Sequence, residues 1–407
     1  MSIAYFDYAN SAPLVPEAVE AMLPFLQTHF GNPMSIHRAG ARPRQALATA
    51  REQVASLIGC SPEELLFTSS ASEANNHAIK GLALACREKG THIVASAIEH
   101  VSIIESLKWL QKLGFTFSLV PVDSAGRVLP GSLAAAIRPD TTVVSIQHAS
   151  AEVGTMQDLK SLAAVVRRHG ALFHSDGTAA VGRVSVDVSE LDVDAYSFPA
   201  QSVYGPKGAA ALYLRRGIRP EPLISGGIQE MGRRAGSENV AAIVGFGAAA
   251  IVAKAGIPEW STRMSQLTTQ IRTGLQTSIE RLVWTGDLTQ RVPGHVSLCV
   301  EFVEGEALLL LLDDHGIAAA SGSSCTARTL KASHVLLAMG LPHSVAQSSL
   351  VLTLGKDSTE ADVERLLKVL PSVVQRLRAM SPLYARYLKG EDPYAAESTH
   401  DHHEKER

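Results

Sequence analysis

The chain has 407 residues, 46% of them hydrophobic and 19% charged, with a formal net charge of −3, which suits a globular protein with room for two domains. That balance excludes the basic footprint of a nucleic-acid binder or a polybasic membrane-surface protein. No apolar run reads as long enough to span a bilayer, and the opening MSIAYFDYANSAP lacks the basic-then-apolar order of a signal peptide.

Helical and strand patterns alternate through the first two thirds. The spacing predicts helices over Pro16 to Phe30, ended by Gly31-Asn32-Pro33, and over Ala41 to Ile58. A short apolar run at Leu65 to Thr68 precedes a small-residue loop, Ser69 to Ser72, and a helix over Glu73 to Lys89. Strands are expected at Thr91–Ala97, Phe115–Pro121, Thr141–Ile146, Ala171–Ser175, Ala195–Phe198 and Gly208–Tyr213, with a helix at Asp158–His169. This alternation predicts an α/β fold, a mostly parallel sheet with helices on both faces. Two helices are then expected, Val240 to Ala255 and Ser261 to Arg281. Strand-like 294–302, helix-like 306–314, a small-residue loop at 318–326, strand-like 349–354 and a helix over 359–380 form a smaller α+β module. The polar end, Lys389 to Arg407 with His400, His402 and His403, reads as a mobile tail. The expected division is a large domain over 12–255, a small domain from 1–11 and 256–385, and a tail over 386–407.

Three stretches could carry chemistry. Small hydroxyl residues at Thr68 to Glu73, between a strand and a helix N-terminus, suit an anion or serve as an ordinary N-cap. Asp176, in His174-Ser175-Asp176-Gly177, stands at the end of a buried strand, where open α/β sheets bind ligands, or is a capping aspartate. Cys325 lies in Ala320-Ser321-Gly322-Ser323-Ser324-Cys325-Thr326, a loop that leaves a thiolate accessible as a nucleophile, a persulfide carrier or a metal ligand. Cys60, Cys86 and Cys299 sit in apolar periodic segments and are expected to be buried. No CxxC pair occurs, so reduced thiols and a cytoplasmic setting are expected.

The stretches YFDYANSAP, GNPMSIHRAG, FTSSASEANNHAIKG, IEH at 98–100, SDGTAAVGR, YGPKGAAALYLRRG, GGIQEMGRRAGSENVAAIVG, EGEALLLLLDDHGIAAASGSSCT and AQSSLVLTLGKDST occur in order from Tyr5 to the neighbourhood of Tyr387. With them the chain resembles the cysteine desulfurases, in the class V aminotransferase group of fold-type-I pyridoxal-phosphate (PLP) enzymes. The resemblance implies a seven-stranded-type sheet, PLP as cofactor and L-cysteine as substrate, with alanine and an enzyme persulfide as products. It implies that Ser72, His100, Asp176 and Ser237 (across a dimer interface) stand at cofactor positions and Cys325 at the sulfur-accepting one.

The same resemblance marks departures. In the family a segment like SFSGHKIYGPKG holds the lysine that forms the Schiff base; here it reads Ser197-Phe198-Pro199-Ala200-Gln201-Ser202-Val203-Tyr204-Gly205-Pro206-Lys207-Gly208. Ser202 therefore stands at the lysine position, Gln201 at the preceding histidine and Pro199 at a phosphate-binding serine, while Lys207 matches a second, non-catalytic lysine. Ala151 and Ala179 replace an asparagine and a glutamine beside the ring, and Val351 replaces the arginine that clamps the substrate carboxylate. A serine forms no imine, so the expectation is a non-catalytic desulfurase homologue. It would act in sulfur relay or iron–sulfur assembly as a homodimer, or as a heterodimer with an active desulfurase, alongside a sulfur acceptor or scaffold protein. Three other readings stay open. One is an active enzyme with non-covalent PLP. The second is an iron–sulfur protein with Cys325 as ligand. The third is a binding protein whose emptied cleft takes another small molecule.

Overall fold

A computed structural model describes residues 3–322 and 332–394. In chain order the elements are β1 (Ala4–Tyr5), α1 (Pro16–Gln27), α2 (Arg38–Ile58), β2 (Leu65–Thr68), α3 (Ala71–Ala85), β3 (His92–Ser96), α4 (Val101–Gln111), β4 (Thr116–Val120), α5 (Pro130–Ala136) and β5 (Thr141–Ser145). Next come α6 (Leu159–His169), β6 (Leu172–Asp176), α7 (Val188–Leu191), β7 (Ala195–Pro199), β8 (Ala210–Leu214), α8 (Val240–Ser278), β9 (Leu282–Trp284) and β10 (His295–Val300). The series ends with α9 (Gly305–Asp314), β11 (Ile317–Ala318), α10 (His334–Ala338), α11 (His343–Ala346), β12 (Ser349–Thr353), α12 (Glu360–Ala379) and α13 (Pro382–Leu388).

Two compact units divide the chain: 9–262 with 287–293, and 1–8 with 263–286 and 294–407. The boundary falls inside α8 rather than at the expected 255/256, and the short return 287–293 belongs to the large unit. The large unit is built on a seven-stranded sheet in the order β2-β8-β7-β6-β5-β3-β4. Strand β8 is antiparallel to both neighbours, and the other pairings are parallel. Strands β3, β5, β7 and β8 are buried along their whole length, as strands covered on both faces are. Buried residues of α3, among them Ala74, Ala78, Ile79 and Leu82, pack with Ile93, Val143, Ala195 and Leu212 of the sheet.

The smaller unit holds an antiparallel sheet, β12-β10-β9, and the parallel pair β1-β11. Its helices α9 and α12 bury Leu308, Leu312, Leu366 and Leu370. Tyr387 and Tyr394 stack on Phe302 at 5.0 and 6.0 Å, and the Tyr394 hydroxyl donates to Glu301 Oε1 at 3.2 Å. The start of the expected tail is thus an ordered part of this unit, because its rings find an aromatic partner. Residues 395–407, with the three tail histidines, lie outside the described residues.

Two further expectations are corrected. The expected break at Gly256-Ile257-Pro258 is absent: α8 runs unbroken for 39 residues. Proline removes one helical hydrogen bond, but Ala253, Ile257, Met264, Leu267, Ile271 and Leu275 continue one buried stripe past it, and that packing outweighs the loss. The same helix is long and apolar enough by composition to cross a bilayer, with 56% of its most apolar window buried inside the protein. Burial of that kind is what a core helix shows.

Candidate active site

All strands of the large sheet except β8 run in one direction, so β2, β3, β5, β6 and β7 end along a single edge. From β3 the chain turns outward to β4; from β5 it turns the opposite way to β6. That reversal leaves a crevice outside the strand ends, the place where open α/β sheets take ligands. The strand ends and the segments that follow them carry most of the residues singled out from the sequence: Ser72 in the first turn of α3 after β2, His100 after β3, Ala151 after β5, Asp176 and Ala179 at and after β6, and Pro199, Gln201 and Ser202 at and after β7.

Asp176 closes β6 and is 6% exposed. Its Oδ1 accepts the Thr178 N–H at 2.8 Å and its Oδ2 accepts the Asn75 Nδ2 donor at 2.7 Å. Two neutral donors hold the carboxylate in place, with no cationic partner among the described residues. The Asn75 Nδ2 also donates to Ser102 Oγ at 3.0 Å, and Ser102 Oγ lies 2.8 Å from His100 Nδ1. His100 is the N-cap of α4, its Nδ1 accepting the Ser102 N–H at 3.2 Å. On the other side of Asp176, Ser202 Oγ donates to the Thr178 carbonyl at 2.7 Å. His100 and Asp176 thus belong to one hydrogen-bonded chain through Ser102 and Asn75, and Ser202 and Asp176 each bond the backbone of Thr178.

Beneath this chain the polar groups are buried and neutral. His174 bridges three strands, with Ser145 Oγ and Ser197 Oγ each 2.9 Å from its two ring nitrogens. Burial pushes His174 down to about 4. His148 Nδ1 lies 2.8 Å from the Tyr196 hydroxyl, and burial takes His148 down to about 4 as well. A Cβ at Gly177 would sit 2.1 Å from the Tyr196 ring, which explains a glycine directly after Asp176. Glu99 accepts Ser96 Oγ at 2.6 Å and the Gln147 N–H at 2.8 Å, and burial pushes its carboxyl up to about 8.

The phosphate-type loop is organised by Glu73 in the first turn of α3. Ser70 caps the helix by accepting the Glu73 N–H at 3.1 Å, while Glu73 Oε2 accepts Ser69 N at 2.8 Å. Arg234 pairs with Glu73 Oε1 at 2.9 Å within the same chain. Burial raises the Glu73 carboxyl, but hydrogen bonds from Arg234 and Ser69 outweigh it, and the net shift is downward. Ser72 and Ser237 are exposed.

Val351 belongs to the small unit, at the centre of β12. It is 4% exposed, and its backbone exchanges hydrogen bonds with Ala320 at 2.8 and 3.1 Å. Cys325 lies outside the described residues. Of the other cysteines, Cys299 is buried as expected, but Cys60 and Cys86 are only half-buried. Burial, aided by Glu64, pushes the Cys60 thiol up to about 12, so partial exposure does not make it a thiolate. Among the described residues no group of three or more His, Cys, Asp or Glu is arranged to hold a metal ion.

The residues fit PLP, the cofactor implied by the resemblance, only in part. Asp176 offers a held carboxylate for a ring nitrogen, His100 offers an aromatic face, and the first turn of α3 offers N–H groups. At the position where the resemblance expects the imine-forming amine, the group present is a hydroxyl. Ser202 presents a hydroxyl already donating to a carbonyl, and Lys207, the lysine nearest to it in sequence, is exposed. Sequence reasoning missed Asn75 and Ser102, which tie the site together. The signal was there for Asn75: an amide on the same helical face as Ile79 and Leu82 needs a buried partner.

The Aminotransferase class-V family profile matches residues 4–366. The chain belongs to this family. It is 44% identical over 382 residues to "Cysteine desulfurase IscS 1" of Archaeoglobus fulgidus, covering 94% of this chain and 100% of that relative. It is 43% identical over 379 residues to "Cysteine desulfurase IscS" of Methanosarcina thermophila, covering 93% and 94%. Among solved structures, one described as a NifS-like protein superposes with a TM-score of 0.87 at 32% identity, over 93% of this chain and 100% of that one. DndA from Streptomyces lividans superposes with a TM-score of 0.73 at 31% identity, over 86% and 99%. Within the family the chain is thus a cysteine desulfurase homologue.

Proposed function

We propose that this chain is a sulfur-transfer protein on a cysteine desulfurase scaffold that forms no lysine imine with PLP, with Cys325 as its sulfur carrier. The observation that carries this reading is the Ser202 hydroxyl, donating to the Thr178 carbonyl where the resemblance expects an amine. Val351 offers no charge to a substrate carboxylate, and Ala151 and Ala179 offer no hydrogen bond to a ring. These departures lie on one route: hold the cofactor, hold cysteine, move a proton. In the proposed transfer the Cys325 thiolate attacks the sulfane sulfur of a persulfide donor. A Cys325 Sγ–S bond forms, the donor's S–S bond breaks, and the donor leaves as a thiolate. The proposed setting is the cytoplasm, where a free thiol persists. The proposed assembly is a dimer, supported by the apolar side chains left exposed along and after α1, with a sulfur acceptor or iron–sulfur scaffold protein as partner.

The test has two arms. Purified protein is incubated with PLP and borohydride, and covalent adducts are mapped by mass spectrometry. After excess PLP is removed, no stoichiometric adduct is expected on the wild type, whereas Ser202→Lys is expected to gain one at position 202. A separate sample is incubated with glutathione persulfide and alkylated, and one added sulfur is expected on Cys325 and none in Cys325→Ser. A stoichiometric borohydride-trapped adduct on a single lysine of the wild type after removal of excess PLP, or sulfide release from cysteine on addition of PLP, would overturn the reading in favour of an active desulfurase.

A further inference from the structure

Proton positions in the chain that joins Asp176 to His100 follow from donor and acceptor inventory alone. The Asp176 carboxylate can only accept, and it takes the Thr178 N–H on Oδ1 and an Asn75 Nδ2 proton on Oδ2. The second Nδ2 proton goes to Ser102 Oγ at 3.0 Å. Both amide protons are then committed, so the Ser102 hydroxyl is an acceptor toward Asn75, and its own proton is left for His100 Nδ1 at 2.8 Å. The backbone N–H of Ser102, which can only donate, meets the same Nδ1 at 3.2 Å. His100 Nδ1 must therefore carry the lone pair, which puts the ring proton on Nε2.

What orients the amide is equally visible. Asn75 is 0% exposed, and its Oδ1 has no hydrogen-bond partner among the described residues. The carbonyl end gains nothing from this orientation. The reverse orientation would set Oδ1 against the Asp176 carboxylate, oxygen facing oxygen at hydrogen-bond distance. The negative charge on Asp176 is what points both amide protons the way they point, at the cost of an unsatisfied buried acceptor.

We infer that Asn75 and Ser102 are positioning residues that make the hydrogen bonding at His100 Nδ1 depend on the charge at Asp176, while the Ser102 N–H holds the Nε2–H tautomer in either case. With a charge at 176 the relay runs in one direction, from Asn75 outward, and Nε2–H is the proton His100 offers to a ligand in the crevice. With a neutral group there, the amide is free to turn over. Ser102 then directs its hydroxyl proton to Asn75 Oδ1, and His100 Nδ1 keeps only the backbone N–H. The relay belongs to the ligand-free chain, so its test does not depend on the reading proposed above for PLP or sulfur.

The experiment is nitrogen NMR of the full chain labelled in its histidine rings, with His100 assigned by His100→Gln. In the wild type, His100 is expected to show a protonated Nε2 and a hydrogen-bonded, unprotonated Nδ1. Asp176→Asn is expected to move the Nδ1 resonance toward that of a weakly bonded imine nitrogen, although no hydrogen bond joins position 176 to His100 or Ser102 among the described residues. Ser102→Ala is expected to move it the same way, Ser102→Thr to restore it, and Asp176→Asn to add nothing in the Ser102→Ala background. Should Asp176→Asn fail to fold, Asn75→Ala is expected to produce the same shift. A wild-type His100 protonated on Nδ1 would overturn the inference. So would an Nδ1 resonance indifferent to Asp176→Asn and Asn75→Ala while responsive to Ser102→Ala.

Discussion

A single buried carboxyl makes the pH behaviour of this chain specific. Glu99 carries its proton up to about 8 when folded, against an ordinary value of 4.5, because burial penalises its charge. Between those two values the folded chain holds a proton that the unfolded chain releases, so stability falls as pH rises through that window. Below it both states are protonated and the term vanishes; above it both are ionised and the full penalty remains. Glu99→Gln keeps an oxygen for Ser96 Oγ and the Gln147 N–H but cannot ionise. Urea unfolding is expected to show this variant gaining on the wild type by more than about 1.4 kcal/mol, the equivalent of a tenfold change in acidity, between pH 5 and pH 8. A gap that stays flat across that range would show that Glu99 is not held protonated. Residue-scale chemistry was partly legible in advance. Asp176 and His100 were found because their neighbours match a family pattern, whereas the protonation of Glu99 depends on its complete burial, which outweighs the hydrogen bonds from Ser96 and Gln147 and which no local pattern reveals.

At the scale of elements, the approach from β8 to α8 is pinned by one side chain. Glu230 lies in a turn with a left-handed backbone, φ 48°, followed by Met231 at 59°. Its carboxylate, 3% exposed, binds Arg51 of α2 at 2.5 Å and the Phe67 N–H of β2 at 2.9 Å. The Arg51 guanidinium also covers the Phe67 ring at 4.7 Å. A strained turn persists when contacts elsewhere over-determine it, and here two elements, α2 and β2, converge on one carboxylate. Glu230→Ala is expected to cost about 3 kcal/mol, the low end for breaking a buried pair because Arg51 still reaches solvent. Glu230→Gln is expected to lose less, since it keeps an acceptor for Phe67. Chemical denaturation of the two variants checks both the size and the order of the losses. Strand positions in the large sheet were legible within a residue or two, because continuous apolar runs bounded by loops have few alternatives. The unbroken α8 was not, since local propensity at Gly256-Ile257-Pro258 argues for a stop and only the buried stripe on either side overrides it.

For the whole molecule, the proposed dimer makes a direct demand on the surface. Leu26, Phe30 and Ile36 are 63%, 84% and 100% exposed, close together in sequence and without an apolar cover. A run of large exposed side chains of this kind marks an interaction face. Sedimentation of the full chain is expected to give a dimer, and Leu26→Asp with Phe30→Asp is expected to shift it to the monomer without loss of helical signal. A monomeric wild type would remove the dimer from the proposal while leaving the residue-scale chemistry intact.

Taken alone, the sequence determined the fold class, the strands of the large sheet, and the family, because hydrophobic periodicity and ordered motifs are local properties. It also determined that a hydroxyl occupies position 202. Only the tertiary structure decided that this hydroxyl donates to Thr178, and that Asn75 and Ser102 link Asp176 to His100. Those facts depend on pairs separated by 24 to 101 residues. The sheet brings such groups within hydrogen-bond reach by aligning its strand ends, and no local pattern encodes a meeting of that kind.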